Sequence, residues 1–198
     1  MGLAGRTDGL HALPQTARGA RKMELDFVAF DAPLRGGRTV HIRAIGRSDE
    51  AEVLQAFDRM SADARYMRFM RVVREPNRER LCKALAAMPS KGFGVVATAP
   101  AADGFDIVGS ATYMVGSDPL RGEFAINVDA DYGGAGLGRR LMTALIDAAA
   151  RRGLRELEGF VLTENKPMLR LAAGLGFAVT PDPEDPTVRV CRLRLGGG

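Results

Sequence analysis

The chain has 198 residues, 46% of them hydrophobic and 26% charged, which suits one globular domain with a sizeable core and no need of a disulfide or metal framework. Cys82 and Cys191 lie far apart without C-x-x-C spacing, and His11 and His41 are the only histidines, so the composition argues against a zinc site and no metal is expected. No stretch approaches about 18 uninterrupted apolar residues, so no membrane span is expected and a reducing cytoplasm is the default compartment.

The net charge of +4 is concentrated at the start of the chain. Residues 1–22 hold Arg6, Arg18, Arg21 and Lys22 against Asp8 alone. They read as a disordered extension, followed by a single domain over 23–198. Charge confined to a tail is a poor footprint for nucleic acid, and no such partner is expected. Arg35-Gly36-Gly37-Arg38 reads as a turn, and Thr39 to Ile45 alternates with the period of a half-buried strand. Ser48-Asp49 looks like a helix cap, followed by Val53, Leu54, Phe57 and Met60 at helical spacing. A second short helix runs from Ser61 through Tyr66, Phe69 and Met70, whose spacing reads as core. A third spans about Pro76 to Ala87, with Pro89 beyond its end.

Three strand-like runs follow, at 94–99, 107–115 and 123–128, separated by Asp103-Gly104 and Ser117-Asp118-Pro119. A long helix covers 136–152 and stops at Gly153. Next come a strand over 154–162, a helix over 165–173, a strand from Phe177 and a final alternating strand over 187–195. The order β, helices, βββ, α, β, α, ββ places the chain in the α+β class. Glu156 and Glu158 alternate with Leu157 and read as solvent-facing. No base or basic cluster stands beside Cys82 or Cys191, so both read as inert.

The most informative stretch is 128–141. A strand ends, Gly133-Gly134-Ala135-Gly136-Leu137-Gly138 follows, and an amphipathic helix begins with Arg139-Arg140. Glycines allow close approach of backbone N–H groups to an anion, and a helix N-terminus adds partial positive charge. A pyrophosphate suits such a site. A dinucleotide fold would put this loop after its first strand, and a Walker loop would need Gly-Lys-Ser/Thr. Here it follows the fourth expected strand, after an antiparallel meander.

This segment resembles the acetyl-CoA pyrophosphate motif Q/R-x-x-G-x-G/A of the GCN5-related N-acetyltransferase (GNAT) superfamily, with Gly136-Leu137-Gly138 in its last places. Asn165 to Met168, running on to Leu175-Gly176-Phe177, resembles the second cofactor element of that superfamily. The segment Ser61 to Met70 is similar to the early helix of bacterial protein lysine acetyltransferases. The resemblance implies a mixed, mostly antiparallel sheet flanked by helices and splayed where acetyl-CoA binds. Acetyl-CoA is the implied cosubstrate. Gly133, Gly134, Ala135, Gly136, Leu137, Gly138 and Arg139 would hold its pyrophosphate, and the peptide groups of Ile126 and Val128 would pair with its pantetheine arm. Asn165 could cap its helix or bond that arm. Gly133 stands in the polar position of the motif, and Ala172 stands where many relatives carry a tyrosine general acid.

The implied reaction moves acetyl to a primary amine, with a protein lysine favoured. A small amine or antibiotic acceptor, or a catalytically silent acyl-CoA-binding module, are the alternatives. Amine acetylation needs a neutral nitrogen, and with a pKa of about 10.4 fewer than roughly one free lysine in a thousand is neutral at pH 7. A general base answers that need. Glu123 lies five residues before Val128, about 17 Å along a strand, comparable to an extended pantetheine arm. Acidic residues at this place act as base in the lysine acetyltransferases that the chain resembles. The competing reading of Glu123 is a solvated carboxylate beside Arg121.

Overall fold

Residues 27–102 and 104–196 are described by a computed structural model. The 1–22 extension, the boundary near Met23 and Asp103 of the expected turn lie outside the described residues. The elements are β1 (Phe30–Pro33), β2 (Thr39–Ala44), α1 (Glu50–Arg59), α2 (Ala62–Phe69), α3 (Arg78–Lys91), β3 (Gly92–Ala101), β4 (Gly104–Val115), β5 (Arg121–Val128), α4 (Leu137–Arg151), β6 (Glu156–Leu162), α5 (Lys166–Gly174), β7 (Ala178–Pro181) and β8 (Val188–Arg194). The strands form one sheet in the order β1-β2-β3-β4-β5-β6-β8-β7. Every neighbouring pair is antiparallel except β5 and β6, which run parallel. The mixed, mostly antiparallel α+β architecture expected from the sequence is therefore the one observed.

Alternation divides the sheet into two faces. Leu137, Leu141, Met142, Leu145 and Ala149 of α4 are fully buried, and their spacing of three and four residues lays one apolar stripe over β3, β4 and β5. Phe124 faces the same side and meets Phe177 edge-on at 5.1 Å between ring centroids. Helices α1, α2 and α3 cover the other face of β3, β4 and β5. Glu123, Ala125 and Asn127 point to that side.

Four local readings of the sequence change. β1 was not expected: its four residues include Asp31 and Pro33, and Ala32 alone is buried. It forms the sheet edge, where a proline is tolerated. The glycine loop consequently follows the fifth strand, not the fourth. α3 begins later, because Asn77 accepts the Arg80 N–H and caps it, leaving Pro76 outside. It also runs through Pro89 and ends at Gly92, where a Cβ would lie 2.3 Å from the Tyr113 carbonyl oxygen. Tyr66 and Met70 are exposed, while Phe69 packs on Phe57 with centroids 5.8 Å apart.

The fourth change concerns Asp49. Its carboxylate does not cap α1; it reaches back to the start of the short 3-10 turn Arg47–Asp49. It accepts 2.9 and 2.6 Å hydrogen bonds from both Arg43 guanidinium nitrogens and a 2.7 Å bond from the Gly46 N–H. Asp49 is 2% exposed. Burial works against its ionisation, but the Arg43 and Gly46 hydrogen bonds outweigh it and hold the carboxyl below its ordinary value. This pair ties the end of β2 to the start of α1. Asp49→Ala leaves the half-buried Arg43 without its partner, and urea unfolding at pH 7 should show a loss of about 3 kcal/mol. A lowered folded pKa stabilises above the ordinary carboxylate range, and that contribution disappears as pH falls through the folded value. The difference between wild type and variant should therefore narrow on acidification; a constant difference would contradict the assignment.

Candidate functional site

β5 and β6 share only three pairs of Cα partners, Arg121–Glu156, Gly122–Leu157 and Glu123–Glu158. Beyond Glu123 the two strands part. β5 continues against β4 as far as Val128, and β6 continues against β8 as far as Leu162. The Asp129 N–H donates to the Val108 carbonyl at 2.9 Å. Antiparallel alternation then turns the peptide groups of Ile126 and Val128 away from β4, into the gap. No strand pairs with them there. On the core side Phe124 lies across Gly159, where a Cβ would come within 2.5 Å of its ring.

An open cleft of about 1650 Å³ occupies the gap. Glu123, Ile126, Val128, Gly133, Gly134, Ala135, Gly136, Gly138, Arg139 and Asn165 all line it. The structure thus brings together every sequence-predicted site residue except Leu137, whose side chain is buried in the core. Leu137 still opens α4, so its N–H lies at the mouth of the loop.

The loop is built to present donors. Gly134 and Gly136 have φ of 69° and 94°, the left-handed region that glycine enters without a Cβ clash. A Cβ at either would meet no atom within 4 Å, so open space faces both. The Gly133 N–H is already given to the Ala130 carbonyl. The N–H groups of Gly136, Leu137, Gly138 and Arg139 precede the first closed turn of α4, where the Arg140 N–H reaches the Gly136 carbonyl. Together with the positive end of α4, these donors form an anion cradle.

Two arginines from the β1–β2 hairpin anchor the loop: Arg35, on the cleft wall, donates to the Gly134 carbonyl and Arg38 to the Asp131 carbonyl. The Arg139 guanidinium donates to the Gly174 carbonyl at 3.0 Å and ties α4 to the end of α5. Asn165 caps α5 by accepting the Met168 N–H at 3.1 Å, with its side chain still on the cleft. Gly138 has a different role from Gly136. A Cβ there would lie 3.1 Å from the Leu171 side chain, so its smallness serves the packing of α4 on α5.

Glu123 is exposed to the cleft and has neither hydrogen bond nor ion pair among the described residues. Arg121 does not neutralise it: the guanidinium pairs with Glu156 at 2.9 Å and reaches Glu158 at 4.0 Å. Glu156 and Glu158 are correspondingly not the solvated carboxylates read from the alternation. Glu158 is 9% exposed and pairs with Arg192 across β8. Arg68 of α2 and Met70, whose left-handed backbone (φ 53°) ends α2, also line the cleft. Sequence analysis gave Arg68 no role; the signal was a charge in an otherwise apolar cleft-facing turn. The Cys191 thiol is pushed up to about 11 by burial, and the Cys82 thiol is raised by its hydrogen bond to Glu50. Neither is a poised nucleophile.

A model of the acetyltransferase (GNAT) family matches residues 59–177. The chain belongs to the GNAT acetyltransferase family. It is 30% identical over 162 residues to the acetyltransferase PA5475 of Pseudomonas aeruginosa, covering 82% of this chain and 87% of that one. Its fold is similar to the GNAT domain of S. lividans PAT, with a TM-score of 0.75, 19% identity, and 84% and 97% of the two chains covered. It is also similar to yncA, a putative acetyltransferase from Salmonella typhimurium solved with its cofactor acetyl-CoA, with a TM-score of 0.59, 22% identity, and 79% and 94% covered. Acetyl-CoA-dependent N-acetyl transfer is thus the activity of this GNAT protein. Among the described residues no cluster of His, Cys, Asp and Glu could hold a metal ion. No helix among them is long and apolar enough to cross a membrane.

Gly136→Val forces a branched side chain into left-handed backbone, at a cost of roughly 1–2 kcal/mol, and fills the cradle. Calorimetry should show acetyl-CoA affinity at least about tenfold weaker, with the far-ultraviolet circular dichroism of the fold retained. Undiminished affinity would contradict the cradle. Gly138→Ala should instead lower the melting temperature, because Leu171 must move.

Proposed function

We propose that this GNAT protein transfers acetyl from acetyl-CoA to a lysine side chain of a protein, with Glu123 as general base. The observation that carries this reading is the unpartnered Glu123 carboxylate at the point where β5 leaves β6, in the same cleft as the glycine loop. A carboxylate free of other hydrogen bonds can accept a proton from an incoming ammonium or from a water beside it. Its strand position, about 17 Å from Val128, suits the length of the pantetheine arm.

The chain's own groups divide the work. Backbone donors of Gly134, Gly136, Leu137, Gly138 and Arg139 hold the pyrophosphate, and the peptide groups of Ile126 and Val128 extend the arm as an added strand along β5. Asn165 caps α5 and keeps that helix beside the arm. Glu123 takes the amine proton as the nitrogen bonds to the acetyl carbon and the carbon–sulfur bond breaks. Ala172 is fully buried and supplies no acid, so the departing sulfur leaves as a thiolate, which is stable enough near neutral pH to need no dedicated donor. The similarity of the Ser61 to Met70 segment to bacterial protein lysine acetyltransferases supports a protein lysine over a small amine.

Glu123→Gln keeps the size of the side chain and removes its basicity. Acetyl-CoA affinity should barely change, while transfer to a lysine-bearing protein slows by roughly 10²–10⁴ at neutral pH. Part of the loss should return at high pH, where more of the acceptor amine is already neutral. A wild-type rate in the Gln variant would make Glu123 a surface carboxylate. Thiol release assayed in parallel with polyamines and aminoglycosides separates the acceptor classes. Acetyl-CoA binding without transfer to any amine would favour a silent binding module.

A further inference from the structure

Arg68 stands in the last turn of α2, the helix that packs on β5. Its side chain is half-buried and lines the cleft together with Glu123. Among the described residues it makes no hydrogen bond and no ion pair within 4.0 Å; its one close partner is the Phe69 ring, 5.1 Å from the guanidinium carbon to the centroid. Two other arginines of the cleft wall are committed to backbone carbonyls. Arg35 is fixed to the Gly134 carbonyl and Arg139 to the Gly174 carbonyl. Glu123 is the charge that Arg68 feels: burial pulls its guanidinium below the ordinary value, and the Glu123 carboxylate offsets only part of that.

The cleft therefore holds two opposite, unsatisfied charges on the face of β5 that α2 covers, close enough to interact and too far apart to pair. A desolvated guanidinium without acceptors is costly, and its planar fork of donors matches a carboxylate. Glu123 suits an ammonium. A ligand that carries an amine and a carboxylate a short distance apart satisfies both groups at once.

We propose that Arg68 is a specificity residue of the acceptor site, and that the preferred acceptor is a lysine with an acidic residue beside it, whose carboxylate docks on Arg68 while its amine meets Glu123. This rests on the protein-lysine reading and extends it to the flanking sequence. Arg68 selects the acceptor by charge and takes no part in bond making. Cationic neighbours of the lysine are disfavoured by the same group, because like charges in a partly desolvated cleft repel.

The test uses the full chain and short peptides holding one lysine, with Asp placed in turn at the two positions on either side, each beside its Asn counterpart. The readout is the ratio of kcat/KM for the Asp and Asn peptides, so any general loss of activity cancels. The wild type should favour Asp at one or more positions by about ten- to hundredfold, the worth of a charge-assisted hydrogen bond. Arg68→Gln should bring the ratio near one, and Arg68→Lys should give an intermediate ratio. Acetyl-CoA calorimetry on each variant checks the fold, and the Lys variant keeps the test decisive if the Gln variant is unstable. A wild-type ratio near one, or a ratio unchanged by Arg68→Gln, overturns the proposal while lysine transfer itself still stands. A second pair, 6-aminohexanoate against its amide, separates the two claims. If peptides fail but the acid outruns its amide through Arg68, the charge selection holds and the protein-lysine reading falls. No transfer to any of these acceptors overturns both.

Discussion

Three pairs of partners join β5 to β6, and the strands then separate. A parallel pair in the middle of an otherwise antiparallel sheet leaves two strand edges facing one another across open space. Those edges carry the backbone groups that a sheet would otherwise satisfy internally. Phe124, lodged over Gly159 and against Phe177, packs beneath the point of divergence. The glycine loop follows from the same geometry, because β5 ends at Val128 on the rim of the gap and α4 starts only after a turn of small residues. Cradle, unpaired strand and Glu123 are consequences of a single parting in the sheet.

Charge is distributed along the cleft in a way that separates binding from chemistry. At the loop end, Arg35, Arg38 and Arg139 are spent on structure. Arg35 and Arg38 bond to loop carbonyls, and Arg38 also stacks over Tyr132 at 4.1 Å, which ties the loop to the β1–β2 hairpin. At the other end, Arg121 and Arg192 are consumed by Glu156 and Glu158, which leaves Glu123 without an ion pair among the described residues. A base must keep its lone pair available. Beside Glu123, the nearly buried Glu158 is satisfied by the exposed Arg192 of β8.

Much of this was legible in the sequence because it is written in local pattern. The helix over 137–151 announces itself through apolar spacing and two bounding glycines, and the cofactor loop through a dense run of glycines between a strand and a helix. The resemblance then brought Glu123, Ile126, Val128 and Asn165 to the same site. What could not be read there depends on pairing between distant residues. β1 is four residues with one buried side chain, too short to alternate. Glu158 reads as solvated until Arg192, 34 positions later, is set beside it. Asp49 looks like a cap because its true partner, Arg43, lies on the preceding strand. Arg68 is one of many arginines in the chain, and only the packing of α2 on β5 separates it from the rest. Gly138 reads as a cradle glycine, and no local pattern shows that its missing side chain also makes room for Leu171 across the helix interface.

The central claim is that the edge of β5 beyond Glu123, together with the loop at the start of α4, receives acetyl-CoA. Amide hydrogen exchange measured residue by residue, with and without saturating acetyl-CoA, addresses it most directly. The account predicts new protection at the N–H groups of Ile126, Val128, Gly134, Gly136, Leu137, Gly138 and Arg139, with little change on β7 or α3. Protection concentrated elsewhere, or β5 amides that exchange equally fast with and without the ligand, would contradict it.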